Sequence, residues 1–400
     1  MTAPERLKIV SLLPSATEII DCLGLTSALV GRSHECDYPP SVKDLPVCTK
    51  ARLNSDNTSS QIDKDVQTLL QEALSIYQIK IDVLEKLQPT HMITQDQCDV
   101  CAVNLAEVEK AISQLTKSSP QVISLQPNLL QFVWQDIERV AQTLGVESQP
   151  VFNKLRDRIR AITQKVKPLE SLPTVVALEW TEPLMGGGNW IPELIEIAGG
   201  KPLLGVKGEH SPYLSWESLT EANPDVIVIM PCGFDLERTE QESQVLMSHP
   251  DWSSLKAVKN GKVFIVDGNA YFNRPGPRLV DSAEILAEIL HPELFDFGYQ
   301  GKSWKPLMES NKLNDTDITC DQLLEKHSQA WRAATVHPFL IMCQLGTIQP
   351  KQFNTWLVQD YLFVVEFTRF VARVLANAPT HHFDILLSGL KALSDELIWF

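Results

Sequence analysis

The chain has 400 residues, of which 44% are hydrophobic and 21% charged, and its formal net charge is -15. A chain of this length exceeds what one hydrophobic core usually serves, so we expect two or three domains. The acidic balance argues against a nucleic-acid-binding protein, because such surfaces concentrate Lys and Arg.

The first residues, Met1 to Lys8, lead directly into an apolar strand. They lack the basic start, apolar stretch and cleavage site of a secretory signal, and no run reaches the ~18 apolar residues of a membrane span. We therefore expect a cytoplasmic protein; a periplasmic or membrane-attached one would need a start further upstream. The eight cysteines do not form a disulfide framework in a chain this long, and a reducing compartment fits them.

The first predicted unit is a strand, a helix and a second strand. Ile9 to Leu13 is a buried strand, and Ser15 with Glu18 has the S-x-x-E spacing of a helix capping box. The helix should close at Gly24, and Ala28 to Gly31 is the next strand. This spacing predicts parallel strands.

Two later segments share one plan: a helix end, a Pro, a polar residue and an apolar strand. They are Leu87 to Thr94 and Glu221 to Ile229. A further strand follows each, at Gln121 to Ser124 and Lys262 to Val266, and Thr174 to Leu178 opens the second half as Ile9 to Leu13 opens the first. The sequence thus predicts two α/β lobes of similar design.

Between the lobes, 129–167 has helical periodicity with a break near Gly145. We place the lobes at 8–128 and 168–295, with this helical connector between them. A ligand would lie in the cleft at the carboxyl ends of the strands. Pro, Gly, Asn and Asp mark 296–320 as a linker, and 321–400 is wholly helical in pattern.

Three separated motifs carry a family resemblance. The segments Ile9 to Glu18 and Val30 to Pro40, and the pair Trp216-Glu217, resemble the vitamin B12-binding proteins of ABC importers. The resemblance covers residues 8 to about 295. It implies a class III periplasmic-binding-protein fold, two Rossmann-like lobes joined by a long helix, that binds cobalamin or a related corrinoid in its cleft without catalysis. A haem or iron-siderophore binder of the same fold remains an alternative.

A loop after the last strand of the second lobe carries the main ligand prediction. By resemblance, Ala270, Tyr271, Phe272, Asn273 and Arg274 match the family's ligand-contacting stretch, although Ala270 stands where a relative has Asp. A corrin is a large apolar disc fringed with amides, so aromatic faces and hydrogen-bonding groups suit it. The alternative is a Pro/Gly-rich turn with packed aromatics.

Two other loops supply further candidates. Glu35 stands where a relative has a ligand-facing Tyr, and His34 beside it has an imidazole that could ligate cobalt or simply be exposed. The stretch Leu184 to Trp190 has three glycines that allow close backbone approach, and Trp190 could wall the cleft. No G-K-[ST] follows them, so nucleotide binding is disfavoured.

Asp82 and Glu217 match the positions where the family presents one carboxylate per lobe to arginines of a membrane permease. Two carboxylates at the rim would orient such docking. Without an export signal, either this docking is lost or the start lies elsewhere.

Three cysteines could converge at the rim of the cleft: Cys36, Cys98 and Cys101. A C-x-x-C pair is compatible with zinc, redox chemistry or neither. Structural zinc normally has four ligands and a second paired motif is missing, so we favour reduced thiols and no metal.

The helical segment resembles the start of the TenA/thiaminase-II family, through Ala330 to Leu340, Gly346 to Ile348 and Phe353 to Tyr361. The resemblance implies a pyrimidine-binding role for Asp360. The chain stops at Phe400, before that family's nucleophile, so we expect an incomplete bundle without hydrolase activity that could self-associate. A thiamin-salvage hydrolase is the alternative.

Overall fold

The computed structural model describes residues 7–71, 76–96, 105–307, 338–378 and 382–399. The chain divides into two compact units, residues 1–310 and 311–400. In chain order, the first unit contains β1 (Ile9–Ser11), α1 (Pro14–Cys22), β2 (Leu29–Arg32), β3 (Thr49–Ala51), α2 (Ser59–Gln71), β4 (Tyr77–Ile79), α3 (Ile81–Leu87), β5 (His91–Gln95), α4 (Leu105–Ile112), β6 (Gln121–Leu125), α5 (Leu130–Leu144), α6 (Gln149–Val166), β7 (Thr174–Trp180), β8 (Met185–Gly186), α7 (Ile191–Ile197), β9 (Lys201–Leu203), α8 (Trp216–Ala222), β10 (Val226–Ile229), α9 (Leu236–Met247), α10 (Lys256–Lys259), β11 (Val263–Val266), α11 (Leu279–Leu290) and β12 (Trp304–Pro306).

The first lobe is built on a parallel sheet with the strand order β2-β1-β5-β6. The predicted β-α-β unit is confirmed, because β1 and β2 pair in parallel across α1. The capping box is wrong. Helix α1 begins at Pro14 with Leu13 as its N-cap and no side-chain cap, so Ser15 already lies inside the first turn.

The second lobe has a mixed sheet with the order β12-β11-β10-β7-β8, and β9 pairs with β7. Its centre is parallel, whereas β8 and β12 are antiparallel to their neighbours. Strand β12 lies inside the predicted linker 296–320. Trp304 is buried there and its indole N–H donates to Glu288 over 2.8 Å, so the sheet extends further along the chain than the composition indicates.

The connector consists of two helices, α5 and α6, rather than one. Gly145 ends α5 in the left-handed region, with a φ of 73°. Side chains from α1, α5, α6 and α11 belong to one buried cluster that includes strand residues of both lobes. The two lobes therefore share a hydrophobic core. The two-lobed α/β fold that the sequence predicts is confirmed.

The described part of the second unit consists of three helices: α12 (Pro338–Gln344), α13 (Pro350–Asn377) and α14 (Phe383–Trp399). Helices α13 and α14 pack against each other. Many large apolar side chains on them are exposed, including Phe363, Phe370 and Ile385. Within the described residues of either unit, no helix is both long and apolar enough to cross a membrane.

Candidate functional site

A cavity of about 320 Å³ lies between the two lobes of the first unit. Its walls come from the carboxyl ends of parallel strands, where open α/β sheets generally bind ligands. The polar lining residues are Ser15, Glu35, Tyr77 and Gln95 from the first lobe and Glu179, Asn189, His210, Ser211, Cys232, Asn269, Asn273 and Arg274 from the second.

Arg274 joins the lobes at one side of the cavity. Its guanidinium donates to Asp37 over 2.5 and 3.3 Å, to Asn269 over 3.0 Å and to Glu18 over 3.5 Å. Burial opposes ionisation of Asp37, but the hydrogen bonds from Arg274 outweigh it and lower the pKa of Asp37. The charge of Arg274 is therefore already balanced by the Asp37 carboxylate of the first lobe.

Glu18 is the buried partner in this cluster. It lies 3.5 Å from Arg274 and 3.4 Å from Arg278, and only 2% of its surface is exposed. Burial raises its pKa to about 7, although both arginines favour the charged form. We call Glu18, Asp37, Arg274 and Arg278 the interlobe bridge.

A second set of contacts joins the lobes around the start of α2. The indole N–H of Trp180 donates to the Ser59 carbonyl over 3.2 Å, and the Thr181 hydroxyl donates to the Ser59 hydroxyl over 3.0 Å. Arg238 donates to the Asn57 carbonyl over 2.5 Å. The lobes are thus in contact at these sites as well as at the interlobe bridge.

Glu35 enters the cavity from the loop after β2. The Tyr77 hydroxyl donates to it over 2.8 Å, and burial raises the pKa of this carboxyl. His34 does not line the cavity. Its Nδ1 lies 2.7 Å from the Thr49 hydroxyl and burial lowers its pKa, so it is held in the wall beside Glu35.

Glu179 faces the same cavity from the end of β7, in the second lobe. The Ser211 hydroxyl donates to it over 2.6 Å, and burial raises its pKa. No sequence motif marks this residue. The available signal was a lone carboxylate in the apolar strand Thr174–Trp180, at the end where ligands bind.

Trp190 does wall the cavity, as the glycine loop suggested. Its indole N–H donates to the Phe272 carbonyl over 2.9 Å. Gly188 lies in the same loop, and a Cβ there would come within 2.5 Å of the Ser211 amide nitrogen. The glycine therefore allows the Ser211 segment to lie against the loop.

The ligand-contacting stretch expected at 270–274 is divided in two. Asn273 and Arg274 line the cavity, whereas Ala270, Tyr271 and Phe272 do not. Phe272 is fully buried, and the Tyr271 ring packs against the Arg278 guanidinium at 4.4 Å and against Tyr299. This corrects the interpretation that both rings face the ligand. A π-helical turn over Gly268–Phe272 directs them into the second lobe.

The two carboxylates assigned to permease docking lie one on each lobe. Asp82 and Glu217 are both exposed, in the first turns of α3 and α8. Their docking role remains a prediction.

Cys36 is buried and accepts a hydrogen bond from the Thr17 hydroxyl, and burial raises its pKa to about 11. It is therefore a thiol at neutral pH. Cys98 and Cys101 lie outside the described residues. Among those described, no three His, Cys, Asp or Glu side chains are grouped closely enough to hold a metal ion.

In the second unit, Asp360 is half-buried on α13, on a helix with several exposed aromatic side chains. Its pyrimidine-binding role also remains a prediction.

Two α/β lobes with a shared core, and with a cavity at their strand ends lined by polar and apolar side chains, define a ligand-binding clamp. Residues 9–270 match the model of the periplasmic binding protein family, and the chain belongs to that family. Residues 324–398 match the TENA/THI-4/PQQC family.

Individual relatives share the first unit. An ABC transporter substrate-binding lipoprotein, YvrC of Bacillus subtilis, is 25% identical over 72% of this chain and 81% of its own length. The vitamin B12-binding protein of Photorhabdus laumondii is 22% identical over 71% of this chain and 88% of its own. Among solved structures, the periplasmic heme-binding protein RhuT from Roseiflexus superposes with a TM-score of 0.55 at 22% identity, covering 72% of this chain and 99% of its own, which shows the shared fold.

The second unit resembles a different protein. A probable bifunctional TENA-E protein of Glycine max is 43% identical over 82 residues, which are 19% of this chain. The chain spans only 36% of that relative's length.

Proposed function

We propose that the cavity between the lobes binds cobalamin or a related corrinoid, as a substrate-binding or scavenging protein. The proposal is supported by a cavity lining that combines apolar surface with hydrogen-bonding groups. Neutral amides and hydroxyls from both lobes surround the cavity, including Gln95, Asn189 and Asn273. Such groups can pair with the amides that fringe a corrin.

The charges favour a corrinoid over the two alternative ligands. Haem carries propionates and many ferric siderophores are anionic, so either would gain from an unpaired cation in the site. Arg274 supplies the guanidinium that lines the cavity, and its ion pair with Asp37 already uses its charge. Two carboxyls, Glu35 and Glu179, face the same space and oppose an anion.

The size of the cavity implies movement. Its 320 Å³ is near the lower end of the ~300–1,000 Å³ of small-molecule sites, and a corrinoid is larger. We infer that the interlobe bridge separates as the corrinoid enters, or that part of the disc remains outside the lobes.

The exposed carboxylates Asp82 and Glu217 would then serve to dock an ABC permease, one from each lobe. We assign no hydrolytic step to the second unit. Incubation with aminopyrimidine substrates should release no pyrimidine product, and its release would support the thiamin-salvage alternative.

The test is a parallel titration of the full chain with cyanocobalamin, haemin and a ferric siderophore, followed by equilibrium dialysis and visible spectra. We expect one cyanocobalamin per chain and weaker retention of the other two. Stoichiometric binding of haemin without binding of cyanocobalamin would identify haem, rather than a corrinoid, as the ligand.

A further inference from the structure

Two carboxyl side chains line the same cavity, one from each lobe. Glu35 follows β2 of the first lobe, and Glu179 is the penultimate residue of β7 in the second. Each accepts a hydrogen bond from a neutral hydroxyl, Tyr77 at 2.8 Å and Ser211 at 2.6 Å.

No permanent positive charge is paired with either carboxyl in the described residues. The His34 Nε2 lies 4.0 Å from Glu35, and burial lowers the pKa of that imidazole. Within the described part of the chain, no Lys or Arg forms an ion pair with Glu35 or Glu179. A carboxyl shielded from water without a countercharge is costly unless something compensates it. A glutamine would accept the same hydroxyl bond without that cost, so folding alone does not account for two acids here.

A ligand that donates hydrogen bonds would compensate both. Carboxamide N–H groups are donors that carry no charge, and they would meet an acceptor on each lobe. A ligand carboxylate at the same place would meet a like charge and lack a donor. Repulsion between the ligand carboxylate and the glutamates, together with glutamate oxygens left without a donor, would effectively reject a corrinoid bearing carboxylates.

We propose that Glu35 and Glu179 are a specificity-determining pair that accepts hydrogen bonds from ligand carboxamides, so that the cavity selects amidated corrinoids over corrinoids bearing carboxylates. This inference rests on the proposed function, because it concerns the substituents of the same ligand. It adds Glu179, which no motif marks, as a determinant of which corrinoid is held.

The experiment compares the affinity of the full chain for cyanocobalamin and for cobyrinic acid, the corrinoid with carboxylates around its ring. The wild-type chain should prefer cyanocobalamin by at least tenfold. In Glu179→Gln the side chain can also donate, so cobyrinic acid should bind roughly tenfold tighter while cyanocobalamin changes little. Glu35→Gln should act in the same direction.

Glu221→Gln, an exposed residue of α8 outside the cavity, is the matched control and should keep the wild-type preference. Thermal melts establish that each variant is folded, and Ser211→Ala offers a second way to displace the Glu179 carboxyl. An unchanged preference in both glutamine variants, with cyanocobalamin still bound, would overturn this inference alone. Failure of the wild-type chain to bind any corrinoid would overturn the proposed function with it.

Discussion

At the scale of single residues, the ionisation of Glu18 depends on contacts between the two lobes. It is fixed in the first lobe by α1, yet its charged neighbours, Arg274 and Arg278, belong to the second. Within the described residues its Oε2 atom has no hydrogen-bond partner. An acid in this position is compensated only while the lobes stay together.

The raised pKa of Glu18 makes stability depend on pH. Its pKa is about 7 in the fold against an ordinary 4.5, so the folded chain keeps a proton that the unfolded chain has lost. This stabilisation is complete below about 4.5 and disappears as the pH rises through about 7. Because Glu18→Gln cannot titrate, the wild-type free energy of unfolding should fall relative to it by about 3 kcal/mol over that window.

The measurement is urea unfolding of both proteins at a series of pH values. Other raised carboxyls, including Asp136, whose pKa is about 6, contribute equally to both chains and cancel in the difference. If the free energies of unfolding of the two proteins ran parallel across this pH range, Glu18 would not have the raised pKa on which the prediction depends.

A substitution at Gly188 tests whether the Ser211 segment positions the Glu179 carboxyl. In Gly188→Ala the new Cβ would lie 2.5 Å from the Ser211 nitrogen and 2.6 Å from the Glu209 oxygen, so backbone must move. We expect a loss of about 1–3 kcal/mol in stability and weaker corrinoid binding, because the Ser211 hydroxyl is displaced from Glu179. Calorimetric titration measures the binding.

Gly389→Ala is the control for that variant. It adds a Cβ in a helix where nothing lies within 4 Å, so the change should be neutral or stabilising by up to about 1 kcal/mol. Normal binding in both variants would show that the Ser211 segment does not position the site.

At the scale of elements, α6 is tied to α11 by one arginine. Arg158 donates to Glu284 over 2.6 and 2.8 Å and also pairs with Asp281. These contacts connect the connector between the lobes to the helix that follows the cavity loop. The carboxylates are largely buried. Among the described residues, removal of the arginine would leave Glu284 with the Tyr299 hydroxyl, 3.0 Å away, but no cation. Asp281 would keep the longer contact to the Arg278 guanidinium, 3.7 Å away.

Arg158→Ala should therefore lower the free energy of unfolding by about 2–3 kcal/mol. Arg160→Ala on the same helix removes only an exposed pair with Asp157, in which both side chains are more than half exposed, and should change it by less than about 1 kcal/mol. Denaturant unfolding distinguishes them, and equal effects would show that the α6–α11 pairing is not structurally important.

Elements are predictable from the sequence where the hydrophobic periodicity agrees with the Gly and Pro residues that begin or end them. Strand β1, the break at Gly145 and the strand ends that meet at the cavity follow from local pattern. Strand β12 does not, because it is three residues long in a Pro- and Gly-rich segment and depends on pairing with β11. The local sequence pattern of a strand does not indicate which distant strand it pairs with.

The site was predictable only in part, for a related reason. Trp190, Glu35 and Arg274 were placed by motif and do line the cavity. The direction of Tyr271 and Phe272 depends on a π-helical turn, which redirects side chains in a way that residue types alone do not reveal. Glu179 required the structure, since a single carboxylate at a strand end has no distinctive spacing.

At the scale of the whole molecule, the cavity that we propose as the ligand site lies entirely within the first compact unit. A chain ending at residue 310 should therefore fold and bind cyanocobalamin with an affinity within about twofold of the full chain. It should also associate less, because exposed apolar side chains of α13 and α14 have been removed. Calorimetry and sedimentation measure the two properties, and loss of binding on truncation would place part of the site in residues 311–400.

Whether the two lobes hold a corrinoid between Glu35 and Glu179 is best decided by a crystal structure of the full chain with cyanocobalamin. We expect corrin density in the cleft, with carboxamide nitrogens within hydrogen-bond distance of both carboxyls. Corrin density elsewhere on the chain, or a cleft that stays empty at saturating ligand, would contradict it.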